Sequence, residues 1–141
     1  MYWVLATLYS LYSLLFETAG AELLFAGDAM QHTAQIEAAR RDKGVYDYSD
    51  CFAALEPMVK SADFAVVNLE TPLGGAPYSG YPMFCAPDSY AEALVQSGFD
   101  MFMLANNHML YRRDRVLNRT IAVLYSLGIP HMGVYASQSD R

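Results

Sequence analysis

The feature that most constrains this chain is an alternation. Four short apolar runs are separated by stretches with helical character. The runs are Glu22 to Ala26 (ELLFA), Asp63 to Val67 (DFAVV), Asp100 to Ala105 (DMFMLA) and Ile129 to Val134 (IPHMGV). Runs this short, bounded by Gly, Pro, Asn and Asp, read as strands. Helix-compatible residues fill Thr33 to Arg41. Ser49 or Asp50 can cap a helix from Cys51 to Lys60, which Pro57 bends or shortens. A further helix starts at Pro87-Asp88 and ends near Ser97, with Gly98 as its left-handed stop. From Arg113 to Leu127, Val116, Leu117, Ile121 and Leu124 recur at three- and four-residue spacing, the mark of an amphipathic helix. Strand and helix in alternation predict an α/β domain, a mostly parallel sheet flanked by helices.

Three of the four runs end in polar groups. The first leads to Asp28, the second to Asn68 and Glu70, the third to Asn106, Asn107 and His108. Ligands of open α/β sheets bind outside the carboxyl ends of the strands, so these distant residues are expected at one edge. Together they offer two carboxylates, amide oxygens and an imidazole. Carboxylate and amide oxygens suit hard divalent cations, and imidazole suits zinc, manganese or iron. A metal-assisted hydrolase needs such a mixed set, with a histidine to protonate a leaving oxygen. Taken singly, each residue has a plainer reading. Asp28 reads as a turn or helix cap, Glu70 as a solvated acid, and the two asparagines as turn residues bonding their own backbone. His32 reads as a helix-surface residue and His131 as structural.

At 141 residues the chain is about one domain. Its net charge of −6 speaks against non-specific nucleic-acid binding, which requires basic residues on phosphates. Arg112, Arg113 and Arg115 form a local exception, readable as a solvated helix start or as contacts for an anionic polymer. Residues 2 to 16 are apolar apart from Ser10 and Ser13, and Ala19-Gly20-Ala21 resembles a small-residue cleavage site. Residues 1–21 are therefore expected to be a signal peptide or membrane anchor, with a buried N-terminal helix as the alternative. Cys51 and Cys85 make no metal or disulfide framework and are expected as small core residues.

The segments "FAGDAMQH", "ADFAVVNLETPLGGAPYSGYPMF", "SGFDMFMLANNH" and "TIAVLYSLGIPHMGVY" resemble, in that order, the CapA poly-γ-glutamate capsule biosynthesis family, a relative of the calcineurin-like metallophosphoesterases. The resemblance implies half of an αββα sandwich, with residues 22–141 the N-terminal, incomplete part of the domain. It implies a divalent metal (Mn, Zn, Fe or Mg) held by Asp28, Glu70 and Asn107, with His108 facing the scissile phosphate. His32, Asn68 and Asn106 become accessory residues. Tyr78, Tyr81 and Arg112, with Gly80 and Pro82, become a loop over the substrate. The implied substrate is an anionic polymer or phosphoester at the cell envelope, with capsule-synthesis membrane proteins as partners and no nucleic acid. One position departs: the family places an acidic residue three after the histidine, where this chain has Tyr111.

Overall fold

The computed structural model describes residues 20–140. Its elements are β1 (Leu23–Ala29), α1 (Thr33–Ala39), α2 (Glu56–Ser61), β2 (Phe64–Leu69), α3 (Asp88–Gln96), β3 (Met101–Met103), α4 (Arg113–Ser126) and β4 (His131–Met132). The four strands form one sheet in the order β1-β2-β3-β4, and every neighbouring pair is parallel. The expected α/β class with a parallel sheet is what the structure has. It matches half of a metallophosphoesterase-like sandwich. The anticipated leader falls on residues outside those described. Among the described residues no helix is long and apolar enough to cross a membrane.

The strand order explains how the sheet is covered. Each crossover moves one place in the same direction, and parallel crossovers are right-handed, so the connections collect on one face. Ala65, Val67 and Leu69 of β2 and Phe102 of β3 point into that side. They pack with Tyr90, Ala91 and Leu94 of α3 and Leu117, Ile121 and Leu124 of α4. The register places Leu23 beside Phe64 and Phe25 beside Val66 on the opposite face. Among the described residues that face is largely uncovered: Leu23 is 57% exposed, Phe25 74% and Phe64 36%.

Local chemistry sets the element ends. At α1 the Gln35 side chain accepts from the His32 backbone N–H at 2.5 Å while the His32 carbonyl receives the Gln35 and Ile36 amides. This is the reciprocal bonding of a helix start. Asp88 in the first turn of α3 suits the positive end of the helix dipole. Gly98 closes α3 at φ +103°, where a side chain would also strike Lys60. Helix α4 is tied to the segment after β2 by Thr120 Oγ1, which accepts from the Leu73 amide at 2.9 Å. Arg119 of α4 reaches the Leu73 carbonyl and makes two 2.8 Å bonds to the Asp88 carboxylate.

Three local expectations are corrected. The Cys51–Lys60 helix begins only at Glu56, because Pro57 occupies its first turn, where a missing N–H costs nothing. Pro57 thus starts the helix instead of bending it. Cys51 is exposed on the turns before α2, and only Cys85 is a core cysteine. The last strand is confined to His131 and Met132, since Pro130 lacks an N–H and Gly133 turns away at φ +98°.

Candidate functional site at the carboxyl edge of the sheet

Asp28 reaches the edge from inside β1, not from a following loop. The β1–β2 register shifts between Phe25 and Asp28. Without the extra residue Gly27 would stand opposite Asn68; with it, Asp28 does. The Asn68 amide nitrogen then donates to Asp28 Oδ1 at 2.7 Å. The strand irregularity therefore installs the carboxylate.

The third strand is joined to this pair through Asn106. Its Nδ2 donates to Asn68 Oδ1 and to the Leu69 carbonyl, both at 3.0 Å. Its Oδ1 accepts the backbone amides of His108 and Met109, both at 3.2 Å, and so caps the 3-10 turn Asn107–Leu110. Asp28, Asn68 and Asn106 form a continuous polar line across three strands.

That turn delivers His108 to Glu70. His108 Nε2 lies 3.7 Å from Glu70 Oε1, and each side chain is only 12% exposed. The His108 ring is held edge-to-face between Phe84, at 4.8 Å and 88°, and Tyr111, at 4.9 Å and 76°. Among the described residues its buried Nδ1 finds no partner. Nε2 is the ring nitrogen that faces Glu70.

The two carboxyls act on each other, and their affinities for a proton are driven in opposite directions. The amide of Asn68, and then Glu70, hold Asp28 below the usual carboxylate range. Burial, and then the Asp28 carboxyl, push Glu70 above it. Glu70 is thus the later of the pair to ionise as pH rises, and a cation would relieve their repulsion.

This donor chemistry decides what could sit here. Among the described residues no group of three His, Cys, Asp or Glu side chains is placed to hold a metal ion. The His32 ring packs on Phe84 at 5.1 Å, and His32 does not join the carboxylates in such a group. Asn107 makes one side-chain bond among the described residues, Nδ2 to the Tyr111 hydroxyl at 3.0 Å, so its Oδ1 is left for a ligand. Two carboxylates and one amide oxygen fit a hard cation that keeps several waters, such as Mg²⁺ or Mn²⁺.

The 78–85 segment borders the site. An antiparallel bridge between Ser79 and Cys85 closes it. Gly80 lies against the start of α1, where a Cβ would come within 2.5 Å of the Thr33 amide nitrogen. Arg112 clasps the loop from the His108 side, donating to the Met83 carbonyl at 2.8 Å and to Ser79 Oγ at 2.6 Å. Tyr81 stands at the tip, 75% exposed, whereas Tyr78 is half-buried and packs on Tyr46. A cleft of about 360 Å³ opens beside Tyr111, lined by Met83, Arg112, Arg113 and Arg115.

Sequence reasoning did not single out Phe84, the ring that touches both His32 and His108. Nothing in the order of residues marks it apart from the other aromatics of the loop. Asn106 was given an accessory part and proves to be the hub. Its position before a short turn, with two amides to cap, was the available signal. No curated protein matches the chain. Residues 22–141 match the family model of the bacterial capsule synthesis protein PGA_cap.

Proposed function

The chain belongs to the bacterial capsule synthesis protein family, and from that premise we propose that it serves poly-γ-glutamate capsule synthesis at the cell envelope through a metal-assisted phosphoester hydrolysis. The observation that carries this reading is the 3.7 Å approach of His108 to Glu70 at the carboxyl edge of a parallel sheet, where Asp28 also influences the Glu70 carboxyl. Asp28 and Glu70 would hold a divalent cation, with Asn107 Oδ1 as a third oxygen. When bound, such a cation supplies charge stabilisation at a phosphoryl oxygen and a water acidified towards pKa ~7. As the imidazolium, His108 would give one ring proton to a departing oxygen and be left as the neutral ring. Phe84 and Tyr111 limit water around that imidazole. Exposed Tyr81 and the clasped 78–85 loop bound the space for the rest of the substrate.

Two measurements test the reading. Calorimetry with Mn²⁺ should show weak binding by the chain, lost in the Asp28→Ala/Glu70→Ala double variant. A panel of phosphate esters assayed with Mn²⁺ should show turnover that His108→Ala abolishes. Tight binding that survives the double variant would discard the site assignment.

One observation favours a second reading, a non-catalytic component that binds an anionic polymer. Arg112, Arg113 and Arg115 line one cleft, and among the described residues none of them pairs with a carboxylate. Binding of a glutamate oligomer with no turnover of any ester would support it.

A further inference from the structure

We propose that Tyr111 is a positioning residue that sets the orientation of both Asn107 and His108; the inference rests on the cation reading given above. Two independent contacts converge on this one side chain. Its hydroxyl accepts from Asn107 Nδ2 at 3.0 Å, and its ring meets the His108 imidazole at 4.9 Å and 76°. An amide side chain can present either its oxygen or its nitrogen to a ligand. Engaging the nitrogen with a hydroxyl leaves the oxygen as the free end, and only the oxygen can bind a cation.

The residue type follows from the charge already present. An acidic residue here would also accept from Asn107 Nδ2, but it would add a third negative charge to a site holding Asp28 and Glu70. A phenol supplies the same acceptor without a carboxylate's charge. Its ring adds what a carboxylate lacks, a second wall for an imidazole whose Nδ1 finds no hydrogen-bond partner among the described residues. Tyr111 therefore supplies an orienting acceptor without adding a charge to the site.

The test separates hydroxyl from ring. Tyr111→Phe removes the hydroxyl and keeps the ring; Tyr111→Leu removes both. In metal-free protein, Tyr111→Phe should shift the side-chain amide resonances of Asn107 and leave the His108 imidazole resonances in place. Tyr111→Leu should shift both sets. In calorimetry, Tyr111→Phe should weaken Mn²⁺ binding by about 10-fold, the scale seen when an outer partner of a ligand is lost. Unchanged Asn107 resonances in Tyr111→Phe would overturn the proposal, as would shifted resonances with wild-type Mn²⁺ affinity. Should the wild-type chain take up no Mn²⁺, the cation reading fails by itself, and the metal-free resonances still decide whether Tyr111 orients the two side chains.

Discussion

Asn106 donates its side-chain amide to the side-chain oxygen of Asn68 at 3.0 Å, and that bond fastens the end of β3 to the end of β2. The same residue caps the turn that carries His108. Replacing Asn106 with Ala removes the cap and strands two partly buried acceptors. Unfolding in urea should show a loss of about 2–3 kcal/mol. Asn106→Asp keeps the acceptor but loses both donors and sets a carboxylate against Asn68 Oδ1 and the Leu69 carbonyl, so it should not restore stability. A loss below about 0.5 kcal/mol for Asn106→Ala would mean the polar line does not hold the edge together.

Much of this edge was legible because it depends on strand order and strand ends. Asp28, Glu70 and His108 each follow an apolar run, and parallel strands necessarily bring such ends to one side. What the sequence concealed depends on single backbone irregularities and on which way an amide points. The register shift before Asp28 leaves no signature beyond Ala26-Gly27, which also reads as the end of a strand. Asn106 and Asn107 are the same residue type side by side, yet one is a structural hub and the other has a free oxygen. Only the conformation of the following turn separates them. The bare face also became readable only once the strand order was known, since the apolar pattern of Leu23 and Phe25 does not reveal whether anything covers them.

Arg113 begins α4 at φ +64°, a left-handed conformation that a side chain adopts at a cost of about 1–2 kcal/mol. Arg113→Gly relieves that cost but enlarges the freedom of the unfolded chain. The net expectation is a gain of up to about 1 kcal/mol in urea unfolding. Arg113→Val, branched at Cβ, should lose more than about 1 kcal/mol. Equal stabilities for the two variants would contradict the left-handed start.

Burial holds the imidazole of His131 below its ordinary pKa of 6.5, so the folded protein prefers it neutral. A histidine lowered in this way lends stability that is complete above the unfolded pKa. The contribution fades as pH falls through 6.5 towards the folded value, because the unfolded chain takes up the proton first. Thermal midpoints of wild type and His131→Gln, measured from pH 7.5 to 5.5, should therefore converge on acidification if the variant starts lower. A gap that is constant across this range would assign the role of His131 to its packing against Tyr125 alone.

Phe25 and Val66 are register partners on the bare side of the sheet, yet they differ sharply in surroundings. Phe25 on the edge strand is 74% exposed, while Val66, one strand in, is 6% exposed. A charge at Phe25 loses few contacts, so Phe25→Lys should change stability by less than about 0.5 kcal/mol. A charge at Val66 must be desolvated, and Val66→Lys should cost several kcal/mol. Contiguous exposed apolar surface promotes association, so Phe25→Lys should also reduce self-association in sedimentation and light scattering. If Phe25→Lys instead destabilised the chain as severely as Val66→Lys, the face would have to be covered in solution, and the one-sided arrangement of crossovers would no longer account for its exposure.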